Sequence, residues 1–240
     1  MRGLQGMRVI VAGGDAGIGA AVARRLFEEG SRIVIGDIDI KGAEKISNEL
    51  SARESGRVVP CFFDLGAEES ITLWLRTMVK SDILKRDIEI LQMDPLIWKM
   101  AMEVNVLGFG TGIKATLPHM IGQNRGAIVN ISSATAALGL PYIPAYASSK
   151  AAINALTRHT ATTYGTKGVR VNGVAFEMIA TESVKRNNSQ EAVEEGNMNS
   201  LGRIGLPDEA AALVCYLLSD DASFVTGQTW SYCGGKQLRD

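Results

Sequence analysis

Short apolar runs alternate with amphipathic segments along most of the chain. The runs are rich in β-branched residues and do not alternate with polar ones, which is typical of strands buried on both faces of a parallel sheet. The segments between them place apolar residues three and four positions apart, as in helices with one buried face. The pattern therefore predicts an α/β fold built on a doubly wound parallel sheet. The predicted strands are residues 7–12, 32–36, 57–63, 127–131, 169–174 and 228–232, and the predicted helices are residues 18–29, 41–53, 68–80, 95–120, 145–164 and 207–218.

Two segments depart from this rhythm. Residues 81–94 stand where a fourth strand is due. Either 82–84 or 87–91 could supply it, but neither run ends in the glycine turn that closes the other strands. The polar residues 181–200 predict a helical flap. No internal repeat or low-complexity segment interrupts the chain, so we expect a single domain over residues 1–240.

The composition excludes several classes of protein. The 25 Lys and Arg against 26 Asp and Glu leave a net charge of −1, whereas a nucleic-acid or anionic-membrane binder needs a surplus of cations. The amino terminus lacks the apolar core of a signal peptide, and no run approaches the ~18 apolar residues of a membrane span. The three cysteines are too few and too widely spaced for a disulfide framework or a zinc site. We therefore expect a soluble cytoplasmic protein.

Glycines cluster where the first predicted strand meets the first predicted helix. Gly13, Gly17 and Gly19 have the spacing G-x-x-x-G-x-G. Phosphates accept hydrogen bonds from the free amides at a helix amino terminus, and a side chain there would hold them off. The turn therefore predicts a dinucleotide site, with Ile18 among its cofactor contacts, although a tight strand-to-helix turn would also explain the glycines.

An acidic residue closes the second predicted strand. Asp37 follows the glycine turn at about the distance where an acid reaches the ribose hydroxyls of an adenosine. A carboxylate accepts hydrogen bonds from a 2′-hydroxyl and repels a 2′-phosphate, and the glycine turn contains no arginine to reverse this preference. The combination predicts NAD as the cofactor, whereas Asp37 alone would equally suit a turn or a helix cap.

A phenol and an amine lie four residues apart in the predicted helix at 145–164, which follows the predicted strand at 127–131. Tyr146 and Lys150 would be neighbours on one helix face, and Ser133 lies just beyond the end of that strand. An ammonium beside a phenol favours the phenolate, which makes a general acid and base for an alcohol or carbonyl oxygen. The same spacing recurs at Tyr232 and Lys236, but glycines between them exclude a helix there.

The residues resemble the short-chain dehydrogenase/reductase family over most of the chain. The separation of Ser133 from Tyr146 is the family's own, and it selects Ser133 over Ser132 as the catalytic serine. The resemblance implies a Rossmann-type domain, hydride transfer between NAD(H) and a secondary alcohol or ketone, and a homotetramer. The matching segments are AGGDAGIG at 12–19, NISS at 130–133, YASSK at 146–150, GVRVNGVA at 168–175, LGRIGLPDEAA at 201–211 and SDDASFVTGQ at 219–228.

The resemblance also implies roles for individual residues. Tyr146 would donate or accept the proton, Ser133 would hold the substrate oxygen, and Lys150 would bind the nicotinamide ribose and tune Tyr146. Asn105 would anchor a water in the proton relay. Two further residues would contact the cofactor, namely Asp64 at the adenine and Thr181 at the nicotinamide amide.

Some of these residues have plain structural explanations when taken alone. Ser133 would suit a turn, Asn105 a helix kink, and Tyr146 with Lys150 a surface pair, but the joint match argues against all of these together. Metal chemistry is not expected, because the two histidines have no acidic or cysteine partner at ligand spacing. These histidines are His119 and His159.

Three departures from the family pattern matter, and the first two alter backbone turns that cradle the cofactor. The Asn-Asn-Ala-Gly turn expected after the fourth strand is absent, and Lys85 and Arg86 follow Leu84 instead. The usual Pro-Gly after the sixth family strand is Phe176 and Glu177, which would bring a ring and a carboxylate near the nicotinamide. The usual Asp-Gly-Gly near the carboxyl terminus begins with Cys233.

Three functions remain open from the sequence. The first is an NAD-dependent alcohol dehydrogenase or ketone reductase that uses the Ser-Tyr-Lys-Asn tetrad. The second is a degenerate relative with weak cofactor binding that acts as a binding or scaffold subunit. The third is a reductase of thioester-linked substrates, against which Asp37 counts mildly. The substrate site is expected along residues 134–142 and 181–200, where Tyr142 would stack on a ring or simply pack.

Overall fold

The computed structural model describes residues 1–64 and 86–237. These residues divide into two compact units. The first unit holds residues 1–64, 178–224 and 233–237, and the second holds residues 86–177 and 225–232. In chain order the elements are β1 (Arg8–Ala12), α1 (Gly17–Glu28), β2 (Arg32–Asp37), α2 (Ile40–Ser51), β3 (Val58–Phe62), α3 (Pro95–Met102), α4 (Gly108–Gly122), β4 (Gly126–Ser133), α5 (Pro144–Tyr164), β5 (Val169–Phe176), α6 (Glu182–Asn187), α7 (Gln190–Gly196), α8 (Pro207–Leu218) and β6 (Thr229–Tyr232).

The first unit contains a three-stranded parallel sheet in the order β1-β2-β3. Helix α1 turns an alanine-rich apolar face inward and packs against α8. Leu26 of α1 and Leu217 of α8 are fully buried. Each side chain removed from water in this way contributes about 1.5–3 kcal/mol to the free energy of unfolding. The resulting core fixes the amino terminus of α1 beside the carboxyl ends of the strands.

The second unit contains a parallel sheet in the order β4-β5-β6. Its register aligns Ser133, Phe176 and Tyr232 at the carboxyl ends of the three strands. Helix α5 packs against β4 and β5. An apolar cluster stabilises the opposite ends of these strands, and its buried members are Ile113, Leu117, Ala161, Val169 and Val171.

The predicted helix over residues 95–120 is continuous but uneven. Between α3 and α4 the backbone widens into a π-helical turn at Glu103–Leu107. Such turns insert an extra residue into a helix and are frequent at functional sites. Asn105 lies in the middle of this turn and is buried.

The α/β class with parallel strands is confirmed, and most predicted elements agree with the observed ones to within about two residues. The predicted flap consists of α6 and α7. Of the two alternatives for the fourth strand, the one at 87–91 is absent, because the backbone there is irregular and then forms a short 3₁₀ turn at Ile90–Gln92. The predicted helix at 68–80 and the alternative strand at 82–84 lie outside the described residues. Across the two described ranges, no helix combines the length and apolar character required to cross a membrane.

Candidate active site

The glycine turn of the first unit requires glycine for a steric reason. A Cβ at Gly19 would lie 1.9 Å from the carbonyl oxygen of Gly13, a backbone atom that cannot rotate away. Gly17 has a φ of +55° and faces the Thr181 side chain, whose Cγ2 would lie 3.2 Å from an added Cβ. The residue before α1, Ala16, provides no side-chain cap. The first amides of α1, including that of Ile18, are therefore suited to bind an anion such as a pyrophosphate.

We expect Gly19→Ala to destabilise the first unit by about 1–3 kcal/mol, because its methyl group overlaps backbone. The matched control is Gly110→Ala in α4, where an added Cβ meets nothing within 4 Å and alanine is the better helix former. That control should be neutral or stabilising. Thermal unfolding of the three proteins checks the expectation. Equal melting temperatures for Gly19→Ala and the wild type would contradict the close approach.

Three carboxylates gather beside the glycine turn. Asp37 is buried at the end of β2, and its two oxygens accept hydrogen bonds from the backbone N–H of Asp15 at 3.2 Å and of Asp39 at 3.0 Å. Burial, a hydrogen bond with the Asp37 carboxylate and the charges of Asp37 and Asp39 raise the pKa of Asp15 to about 6. This cluster suits ribose hydroxyls, which donate hydrogen bonds, and repels a further phosphate.

The raised pKa of Asp15 predicts a pH-dependent stability. The protonated carboxyl stabilises the folded chain fully below its unfolded pKa near 4, and this contribution is lost as pH rises through about 6. Asp15→Asn mimics the protonated form. It should therefore raise the melting temperature at pH 8 by roughly 2–4 °C, equivalent to ~1 kcal/mol after allowance for partial exposure. The gain should vanish near pH 4, and melting curves that show a pH-independent difference would contradict this origin.

Two other predicted cofactor residues, Thr181 and Asp64, also lie in the first unit. Thr181 caps α6, where its Oγ1 accepts a hydrogen bond from the N–H of Val184 at 3.2 Å. Asp64 follows β3 and is partly buried. The neighbouring Phe63 donates its backbone N–H to the carbonyl of Asp37 at 3.0 Å, which ties this segment to the end of β2.

The second unit carries the predicted catalytic residues on β4, α5 and the π-helical turn. The Lys150 side chain is 2% exposed, and its Nζ donates to the Ile131 carbonyl of β4 at 2.9 Å. The same Nζ lies 5.6 Å from the centre of the Tyr146 ring. Ser133 Oγ accepts hydrogen bonds from the N–H and the Oγ1 of Thr135, at 3.3 and 3.0 Å. Its own O–H is oriented by these contacts and suited to donate to a substrate oxygen.

Asn105 is linked to the backbone of Tyr146 through a hydroxyl that the sequence patterns did not single out. Asn105 Nδ2 donates to Ser149 Oγ at 2.9 Å, and Ser149 Oγ donates to the backbone carbonyl of Tyr146 at 2.7 Å. Ser149 is fully buried. Because the Ser149 hydroxyl donates its hydrogen to a carbonyl of its own helix, its oxygen accepts the hydrogen bond from the amide of Asn105. The π-helical turn and α5 are thereby joined at Tyr146.

Ser132, the neighbour of Ser133, makes a contact within the second unit. Ser132 Oγ donates to the backbone carbonyl of Lys150 at 3.2 Å. This contact joins the end of β4 to the helix turn that carries the lysine. The only sequence signal for Ser132 and Ser149 is their place beside motif residues, which does not reveal these bonds.

The two residues that replace the expected Pro-Gly turn extend the sheet. Phe176 is the last residue of β5 and is 6% exposed, with its ring set edge-on to that of Tyr232 at a centroid distance of 5.4 Å. Glu177 donates its backbone N–H to the Tyr232 carbonyl at 3.0 Å. The ring of Phe176 is therefore packed on the neighbouring strand.

Comparison with known proteins gives the family. A family model described as enoyl-(acyl carrier protein) reductase matches residues 12–237. A probable short-chain type dehydrogenase/reductase of Bradyrhizobium diazoefficiens is 33% identical over 247 residues, an alignment that covers 96% of this chain and 87% of that protein. The chain therefore belongs to the short-chain dehydrogenase/reductase family, whose members are nicotinamide-dependent oxidoreductases.

Solved structures agree on the fold. A 7α-hydroxysteroid dehydrogenase complexed with NADH and 7-oxo glycochenodeoxycholic acid superposes with a TM-score of 0.86 at 26% identity, over 98% of this chain and 97% of that one. A gluconate 5-dehydrogenase from Burkholderia cenocepacia in complex with NADP and tartrate gives 0.82 at 26% identity, over 96% and 94%. The Rossmann-type fold predicted from sequence is confirmed. The two structures contain different cofactors.

Proposed function

We propose that the chain transfers a hydride between NAD(H) and a secondary alcohol or ketone. The observation that carries this proposal is the hydrogen-bonded assembly in the second unit. It places the Lys150 ammonium beside the Tyr146 ring and ties the backbone of Tyr146 to Asn105. An ordinary surface pair would need neither a nearly fully buried lysine nor a buried serine and asparagine behind it.

Each residue of the proposed active site has a distinct role in the reaction. The bound nicotinamide supplies or accepts the hydride. Ser133 donates a hydrogen bond to the substrate oxygen, and the Tyr146 phenol donates its proton to that oxygen in reduction or removes it in oxidation. Lys150 places a positive charge beside Tyr146, with its Nζ 5.6 Å from the ring centre, and would bind the nicotinamide ribose. Asn105 holds the Tyr146 backbone in place through Ser149.

The choice of NAD over NADP rests on the first unit. The carboxylate of Asp37 would accept hydrogen bonds from the ribose hydroxyls of the adenosine. Asp64 would contact the adenine. The three carboxylates at 15, 37 and 39 oppose the extra negative charge of a 2′-phosphate. The glycine turn fits a pyrophosphate, because the helix behind it begins without a side-chain cap.

A panel of substrates tests the activity. The purified chain is incubated with NAD⁺ or NADP⁺ and with polyols, cyclic alcohols, hydroxysteroids and 3-hydroxyacyl thioesters, and the reduced cofactor is followed by absorbance. We expect turnover of at least one secondary alcohol, with NAD⁺ preferred. Absence of turnover across the panel with both cofactors would contradict the proposal.

A second candidate function is reduction of a ketone linked to a carrier through a thioester. The description of the matched family model, enoyl-(acyl carrier protein) reductase, favours a carrier-linked substrate. A 3-oxoacyl-[acyl-carrier-protein] reductase of Thermotoga maritima, which is 29% identical over 242 residues, favours a ketone as the group reduced. A comparison of catalytic efficiency for a free ketone and for a carrier-bound 3-ketoester separates the two. A large preference for the carrier-bound substrate would select this function.

We also propose a cytoplasmic homotetramer, with the tetramer resting on the family resemblance and the location on the sparse, widely spaced cysteines. Light scattering during gel filtration should then give a mass four times the 25.7 kDa of the chain. A mass equal to that of one chain would contradict it.

A further inference from the structure

The catalytic helix α5 begins without a cap of its own. Its cap residue, Ile143, has no side-chain acceptor, and Pro144 at the first helical position has no N–H. The next two amides, those of Ala145 and Tyr146, therefore need an acceptor from elsewhere in the chain, because buried amides are almost always hydrogen-bonded.

Asp87 supplies that acceptor from 58 residues away. Its Oδ1 accepts from the N–H of Ala145 at 3.1 Å, and its Oδ2 accepts from the N–H of Tyr146 at 2.8 Å. The carboxylate is 5% exposed. A buried carboxylate that receives two amides forms a stronger and more directional contact than a neutral cap would.

The backbone of the same segment holds the turn before the helix. The N–H of Ile143 donates to the carbonyls of both Asp87 and Ile88, at 3.0 and 3.1 Å. Ile143 itself has a φ of +58°, a left-handed conformation that is rare for a β-branched residue. Such a conformation persists only where surrounding contacts impose it. Residues 87–88 therefore fix the direction in which the chain enters α5, and they also provide the acceptor for the N–H of Tyr146.

We propose that Asp87 is a positioning residue for Tyr146, and that it sets the phenol relative to Lys150 and the substrate oxygen. The Tyr146 backbone is then fixed on two sides, with its N–H bound by Asp87 and its carbonyl bound by Ser149, which Asn105 supports in turn. The inference rests on the proposed function, because positioning matters only if Tyr146 carries the proton.

The chain offers a matched control. Asp94 caps α3, where its Oδ1 accepts from the N–H of Leu96 at 2.9 Å and its Oδ2 pairs with Arg86 at 2.8 Å. It is the same residue type in the same kind of contact, but on a different helix. Asp94→Ala and Asp87→Ala should both lower the melting temperature, so loss of stability alone does not distinguish a positioning role from a structural one.

Two readouts make the distinction. For the best alcohol of the panel, Asp87→Ala should lower kcat by about 10- to 100-fold, with the dissociation constant of NADH changed less than threefold, because a displaced proton donor slows the chemical step. Asp94→Ala should leave kcat within twofold of the wild type. Asp87→Asn keeps one acceptor oxygen and should give an intermediate kcat.

The second readout requires no turnover. Tyrosine labelled with ¹³C at the ring carbon that bears the hydroxyl gives one signal for each of the five tyrosines, and Tyr146→Phe assigns the relevant one. We expect that signal to shift or broaden in Asp87→Ala and Asp87→Asn, and to remain unchanged in Asp94→Ala.

The outcomes separate the proposals. An unchanged Tyr146 signal together with wild-type kcat in the Asp87 variants would overturn the positioning role. If Asp87→Ala does not fold, Asp87→Asn decides by the same two criteria. A wild type that oxidises no alcohol would refute the proposed function, whereas the Tyr146 signal would still show whether Asp87 fixes the phenol.

Discussion

Replacement of Tyr146 by phenylalanine should lower kcat by about 100- to 10,000-fold, which is the range that a general acid or base contributes. The substitution removes only the hydroxyl and leaves the ring beside Lys150. The melting temperature and the affinity for NADH should therefore change little. Initial rates, a thermal melt and a fluorescence titration on the same preparation measure the three quantities.

The chain contains a matched control for this substitution. Tyr164 lies at the last turn of the same helix and also has a lysine nearby, with Lys167 Nζ 5.4 Å from its ring centre. Tyr164→Phe should retain wild-type turnover. Undiminished turnover in Tyr146→Phe, or equal losses in the two variants, would exclude Tyr146 as the proton donor.

Replacement of Asp37 by asparagine should improve binding of NADPH by about 10- to 100-fold relative to NADH. The substitution removes a buried negative charge where the 2′-phosphate would lie, and a repulsion of about 1–3 kcal/mol at short range corresponds to that factor. The wild type should bind NADH more tightly than NADPH. Dissociation constants for both cofactors, measured by fluorescence, give the ratio.

Asp39→Asn is the appropriate comparison, because it makes the same change two residues away. Asp39 is exposed and caps α2, where its Oδ1 accepts from the N–H of Gly42 at 3.2 Å. Its effect on the ratio should be much smaller. A wild type that prefers NADPH, or an Asp37→Asn variant with an unchanged ratio, would contradict the assignment of Asp37.

Local sequence patterns predicted most of the fold, because the bounds of most helices and strands are set by residues that are close in the sequence. The helix at 207–218 was predicted with its observed bounds, since proline at its first turn and the apolar spacing both lie within it. A strand at 87–91, one of the two alternatives for the fourth strand, is absent for the opposite reason. Its apolar run suggested a buried strand, but Asp87 is bound to the start of α5, a contact across 58 residues that no local pattern contains.

The candidate site likewise contains residues that local spacing predicts and contacts that it does not. Tyr146, Lys150 and Ser133 could be proposed because their spacing is short and specific. The links that support them were not predictable, because Ser149 and Asp87 act through backbone atoms of Tyr146 and any polar residue type could fill such roles. The raised pKa of Asp15 likewise arises only in the folded chain, from its burial and from the approach of Asp37 and Asp39.

Phe176 illustrates a substitution whose meaning depends on packing. From sequence, a ring in place of Pro-Gly suggests an obstruction to the cofactor. In the structure the strand continues through Phe176, and its ring packs edge-on against Tyr232. The Phe176 side chain therefore has a packing role within the β4-β5-β6 sheet.

The most direct test of the account is a titration of the wild-type chain with NADH, followed by the fluorescence of the nicotinamide. If the glycine turn and Asp37 form a working dinucleotide site, saturation should occur with a micromolar dissociation constant, and Gly19→Ala should weaken it. Absence of saturation up to millimolar NADH would contradict the enzyme assignment and would favour a scaffold protein that retains the family fold.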